Sequence, residues 1–162
     1  MRRLLFIIFS IFLISCNSSI EERAQTFEGK DVDMIKELIY SYAKGDLKKC
    51  RSFFTADAFY AHNEWDESIQ HPIDDLFEQH KIHHSSINGE IKILNEIIEV
   101  VILPDKSKHA HAWLHFESDY KSGGKIKTPV FVSYGINDDG KVYYEWAFFD
   151  TSKLPKNTPY AN

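Results

Sequence analysis

Cysteine is scarce: Cys16 and Cys50 are the two in 162 residues. A pair so placed is no disulfide framework, and neither lies in a metal-binding Cys-x-x-Cys. Cys50 sits at helical spacing between Leu47 and Phe54, a setting that suits a small buried hydrophobe. Positive charge is also short, with 19 Lys and Arg against 24 Asp and Glu, a net charge of −5. That balance argues against nucleic acid and against a basic surface seeking lipid headgroups. Long apolar runs are missing too. The one such stretch, "LLFIIFSIFLIS", ends at Ser15, short of the roughly 20 residues a membrane span needs. There is no internal repeat and no low-complexity run, and the length suits one domain.

What is present begins with an address. Met1-Arg2-Arg3 followed by that apolar run has the proportions of a secretory signal. The sequence "LISC", Leu13 to Cys16, resembles the lipobox of bacterial lipoproteins. The resemblance implies removal of residues 1–15 and acylation of Cys16. Two or three acyl chains give stable anchoring where one is marginal. The expected address is therefore the bacterial cell envelope, lipid-anchored to a membrane and facing periplasm or exterior. Residues 16–29 are polar and read as a tether. Loss of Arg2 and Arg3 with the leader leaves a charge of about −7.

The remaining chain changes character once. "DVDMIKELIYSYAK" (31–44) carries Ile35, Leu38, Ile39 and Tyr42 on one helical face. Gly45 is placed to end it and Asp46 to cap a second helix, "LKKCRSFF", expected to run through Phe54. "AFYAH" is a short strand, and Pro72 starts a third helix with Ile73, Leu76, Phe77, His80 and His84 on one stripe. After Gly89 come four segments rich in branched and aromatic residues, joined by "PDKS", "KSGG" and "NDDG". These read as a four-stranded meander. The class is α+β with an antiparallel sheet.

That order, with "YAKGDLKKCRSFFTADAFY" and "GINDDGKVYYEWAFFD", resembles the ketosteroid-isomerase-like superfamily, also called SnoaL-like or nuclear-transport-factor-two-like. The resemblance covers about residues 31–152. It implies a cone over 30–154: three N-terminal helices packed in a strongly bent antiparallel sheet, with a pocket at the open end. Residues 155–162 would follow as an extended tail held by Pro155 and Pro159. The family's last hairpin, matched to "NDDGKV", puts Ala110, Ala112, Leu114, Phe116 and Ser118 inside, and Tyr143, Glu145, Ala147 and Phe149 with them. His62 falls on the position of the steroid isomerases' catalytic base. The two oxyanion-hole positions fall on Leu38 and Val132, which cannot donate a hydrogen bond, so steroid isomerisation is not expected.

The residues thus singled out as catalytic are His62 and Glu145. Ligand contacts are expected from Tyr42, His80, Leu114, Phe116, Val132, Tyr134, Ala147 and Phe149. A histidine beside a carboxylate in an apolar cavity is a general base near neutral pH. The opposing reading has His62 on a loop carbonyl and Glu145 on a surface lysine. The pair His80 and His84, and the strand histidines His109, His111 and His115, lack a carboxylate or thiolate at fixed spacing. No metal and no cofactor is expected. On the convex face Trp113, Tyr144, Trp146 and Phe148 form an aromatic patch. A homodimer through that face would bury it, as in many members of the superfamily, or the tail "LPKNTPYAN" would cover it. The expected function is a binder of a small apolar molecule in the cone. The alternatives are an acid–base enzyme of cyclase, dehydratase or isomerase type using His62, which the absence of a nucleophile-plus-base motif and of an oxyanion pair weakens, and an interaction module whose cavity is filled by its own side chains.

Overall fold

The computed structural model describes residues 24–64, 66, 68–156 and 158–160. The expected leader, residues 1–15, and Cys16 lie outside the described residues. Seven strands form one sheet in the order β1-β4-β5-β6-β7-β2-β3. They are β1 (Ala24–Thr26), β2 (Phe54–His62), β3 (His71–Pro72), β4 (Lys92–Ile102), β5 (Lys108–Tyr120), β6 (Gly124–Ile136) and β7 (Val142–Phe149). Three helices, α1 (Lys30–Lys44), α2 (Leu47–Arg51) and α3 (Ile73–Ser86), pack within it. Among the described residues no helix is long and apolar enough to cross a membrane.

The corner between α1 and α2 forms for the reasons its residues suggest. Gly45 ends α1 in the left-handed region at φ 77°, and its N–H and that of Asp46 close onto Tyr42 and Ser41 carbonyls. The Asp46 carboxylate then accepts from the Lys49 N–H at 3.1 Å, capping α2. The second helix is shorter than expected. It stops at Arg51, and Phe54 already belongs to β2. Phe54 is apolar on both readings, but here it pairs with Val142 across the sheet. Hydrogen bonding to β7, which is distant in sequence, wins over local helical spacing.

Four expectations need correction. The sheet is antiparallel except where β2 runs parallel to β7; the chain between them is long enough for the crossover a parallel pair requires. Ala24–Thr26, inside the presumed tether, adds an edge strand to β4. Tyr143 does not share the inner face of β7. The β6–β7 register shifts at Gly135 and Ile136, and Val142, fully buried, takes the core place instead. Such a bulge reverses side-chain parity on one side of it. Finally, α3 turns His83 rather than His84 fully inward.

Elsewhere alternation is as read. Along β5 the residues Ala110, Ala112, Leu114, Ser118 and Tyr120 are buried, while Trp113 and His115 face out. The core gathers Ile35, Leu38 and Ile39 of α1 with Ile73, Leu76 and Phe77 of α3 against the inner faces of β4 to β7. Register shifts in β2–β7, β4–β5 and β6–β7 bend the sheet around these helices.

Candidate functional site

The cone encloses a cavity of about 90 Å³. Its wall is apolar: Leu38 and Ile39 from α1, Leu114 and Phe116 from β5, Val130 and Val132 from β6, Ala147 and Phe149 from β7. All ten residues singled out from the sequence line it, His62, Glu145, Tyr42, His80 and Tyr134 among them. Leu38 and Val132, on which the resemblance put the oxyanion hole, are 2% and 5% exposed and offer no hydrogen-bond donor.

His62 is the last residue of β2, and its register partner on β7 is Ala147. Glu145 lies two residues before Ala147 on the same face, so the sheet brings the two side chains together. Nε2 of His62 lies 2.9 Å from Oε1 of Glu145, with side chains 12% and 9% exposed. The other ring nitrogen, Nδ1, is buried and has no hydrogen-bond partner among the described residues. Tyr60 presses its ring edge against the imidazole at 5.0 Å, and Phe149 does so at 5.7 Å. The neighbour of Glu145 across the sheet is Tyr134. Burial, and then the Glu145 charge, push the Tyr134 hydroxyl and the Cys50 thiol well up, so both stay protonated.

A second polar group hangs from α3. Tyr42 is hydrogen-bonded to Nδ1 of His83, and Nε2 of His83 to the Tyr120 hydroxyl, both at 2.9 Å. Nδ1 of His80 is 2.6 Å from the hydroxyl of Tyr160. Burial lowers His83 to about 4 and holds His80 well below the usual imidazole range. Both rings are therefore neutral near pH 7, each with one donor and one acceptor nitrogen.

Sequence reasoning missed His83, Tyr120 and Tyr160 as site residues. His83 and His84 stand side by side in "HKIHH", and only the rotation of α3 separates them. Tyr120 continues the β5 alternation and could have been reached by counting on from Ser118. Tyr160 carried no signal. Among the described residues of the segment after β7, Tyr160 enters the cone mouth, where it packs against His62, His83 and Phe149. The exposed aromatic patch on the convex face is smaller than expected. Trp113 is 44% exposed, but Tyr144 stacks on Phe59 and bonds His109, and Trp146 donates its indole N–H to the Glu64 carbonyl.

No protein-family model matches the chain and no curated protein does. Solved structures do. A hypothetical protein from Catenulispora acidiphila with a ketosteroid isomerase-like fold is 8% identical, with a TM-score of 0.57 over 78% of this chain and 92% of that one. An NTF2-like protein from Burkholderia xenovorans is 16% identical, with a TM-score of 0.58 over 79% and 95%. An LEH-like epoxide hydrolase from M. tuberculosis is 10% identical, with a TM-score of 0.55 over 81% and 90%. At such identities the likeness is one of fold: the chain has the ketosteroid isomerase-like, NTF2-like cone.

Proposed function

We propose that the domain is an acid–base enzyme acting on a small, flat, apolar molecule with one or two oxygens, and that His62 is its base. The observation that carries this is the divided imidazole: one nitrogen on a buried carboxylate, the other buried without a partner. A buried polar atom left unpaired costs stability and calls for an explanation. With Glu145 accepting from Nε2–H, the Nδ1 lone pair is free to take a proton from a substrate carbon. The negative charge then forming on a substrate oxygen would be met by the Tyr42 or Tyr134 hydroxyl, which burial keeps protonated. Leu38 and Val132 exclude the steroid isomerases' own arrangement. That one solved neighbour is an epoxide hydrolase fits an enzyme on this fold but does not fix a reaction.

The test is exchange of carbon-bound protons. With 2-tetralone in heavy water, the protein should exchange the protons beside the carbonyl faster than free imidazole does. His62→Ala should abolish the excess, and Glu145→Gln should lower it by about a hundredfold. Exchange untouched by His62→Ala sinks the proposal. Ligand binding without turnover is the second reading, favoured by Tyr160 already occupying the mouth; it predicts binding of such molecules with no exchange. "LISC" supports an envelope lipoprotein held by acylated Cys16, and the exposed Trp113 supports a second copy of the chain as partner across the convex sheet.

A further inference from the structure

Tyr160 is held in the cone by its side chain. The last backbone hydrogen bond of its segment, among the described residues, joins the Thr158 N–H to the Pro155 carbonyl. Past that turn the chain is anchored by the phenol ring. Its centroid is 5.4 Å from that of His83, 5.6 Å from that of Phe149 and 6.3 Å from that of His62. Its hydroxyl bonds Nδ1 of His80 at 2.6 Å and neighbours the Tyr42 hydroxyl. A ring packed among other rings and held at its hydroxyl is how a protein binds a phenol.

We propose that this is a phenol subsite, filled by Tyr160 when no ligand is bound, and that the ligand which replaces it is a flat aromatic alcohol. Two features set the class. The ring must be flat and apolar, because Phe149, His80 and His83 pack against it in T-shaped contacts and His62 at a tilt. The hydroxyl is required as well. His80 is 7% exposed, so a ligand without one would leave its Nδ1 buried and unpaired. A site built to bond a hydroxyl rejects the analogue that lacks it. The cavity of about 90 Å³ runs on from the ring along Leu114, Phe116 and Val132, so the ligand extends beyond one ring toward the apolar wall. Displacing Tyr160 is part of binding, and the affinity of any such ligand is lowered by that competition. The inference shares the cavity with the acid–base reading but does not depend on its chemistry.

p-Cresol, which reproduces the tyrosine side chain, is the probe, and toluene is its control. By calorimetry, p-cresol should bind full-length Tyr160→Ala at least about tenfold more tightly than wild type. It should also bind that variant about tenfold more tightly than toluene does, and adding His80→Phe should erase this preference. Tyr160→Phe keeps the ring and loses the hydroxyl bond, so it should bind p-cresol more tightly than wild type. That variant decides the matter if circular dichroism shows Tyr160→Ala unfolded. Equal p-cresol affinity in wild type and in the folded Tyr160 variants, or toluene binding as well as p-cresol, overturns the proposal. Binding as described with no proton exchange from 2-tetralone leaves this inference standing and removes the acid–base one.

Discussion

Gly135 lacks a side chain where two tyrosines need the space. A Cβ there would collide with the Tyr144 ring, and Tyr143 lies 2.6 Å from the same point. The bulge that puts Val142 in the core crowds both rings over this stretch of β6. Gly135→Ala should cost about 1–3 kcal/mol, the usual range for overpacking. Urea denaturation should show a lower midpoint with an unchanged slope. A variant as stable as wild type would mean that the rings swing away freely. Cys50, 2% exposed with its thiol pushed up by burial, is a small apolar core residue, as its neighbours in sequence suggested.

Helix α3 brings three histidines together, and burial lowers the pKa of each. The largest cause is the same for His80, His83 and His84: loss of solvent around the charged ring. His83 takes its proton only near 4 in the folded protein, against 6.5 for a free ring. The unfolded chain therefore binds this proton first as pH falls. The stabilisation is complete above pH 6.5 and is lost progressively between 6.5 and about 4. His80, lowered in the same direction, adds to it; His84 is partly exposed and adds less. Each buried ring should steepen the loss by about 1.4 kcal/mol per pH unit. Urea midpoints at pH 7 and pH 5 test this. His83→Phe should be less stable at pH 7, because the Tyr42 and Tyr120 hydroxyls each lose their bond to the ring, yet should lose less on acidification. An unchanged pH slope would rule out His83 as the group responsible.

At the scale of the whole molecule, two proposed contacts lie outside the cone. One is the membrane: the chain expressed from Met1 should fractionate with membranes, and Cys16→Ala should not. Equal distribution of the two ends the lipoprotein reading. The other is a second copy. Ile97, 51% exposed, pairs with Trp113 across β4 and β5, and Phe131 packs on the indole at 5.4 Å. Trp146 is tied to the Glu64 carbonyl, so Trp113 is the better residue to test. Trp113→Glu would place an unpaired charge in the contact and should sediment as a monomer where wild type is a dimer. A monomeric wild type at micromolar concentration disposes of the contact.

The sequence by itself determined the elements and their faces. Period-2 alternation put Ala110, Leu114 and Phe116 on one face, the family resemblance implied that this face is the inner one, and local capping chemistry placed the Gly45–Asp46 corner. Counting from that corner and from the last hairpin, in the register the family resemblance implied, brought His62 and Glu145 into one cavity. These features depend on neighbours in sequence, so they can be read there. Tertiary structure decided the rest. The bulge at Gly135 exchanged Tyr143 for Val142, because parity along a strand holds only until pairing slips. The rotation of α3 chose His83 over His84, because helical periodicity cannot separate adjacent positions at the edge of a stripe. Above all, only packing could put Tyr160 in the mouth of the cone. Its segment has no periodic pattern, and its partners, His80 on α3 and Phe149 on β7, are set by how the sheet curls around the helices.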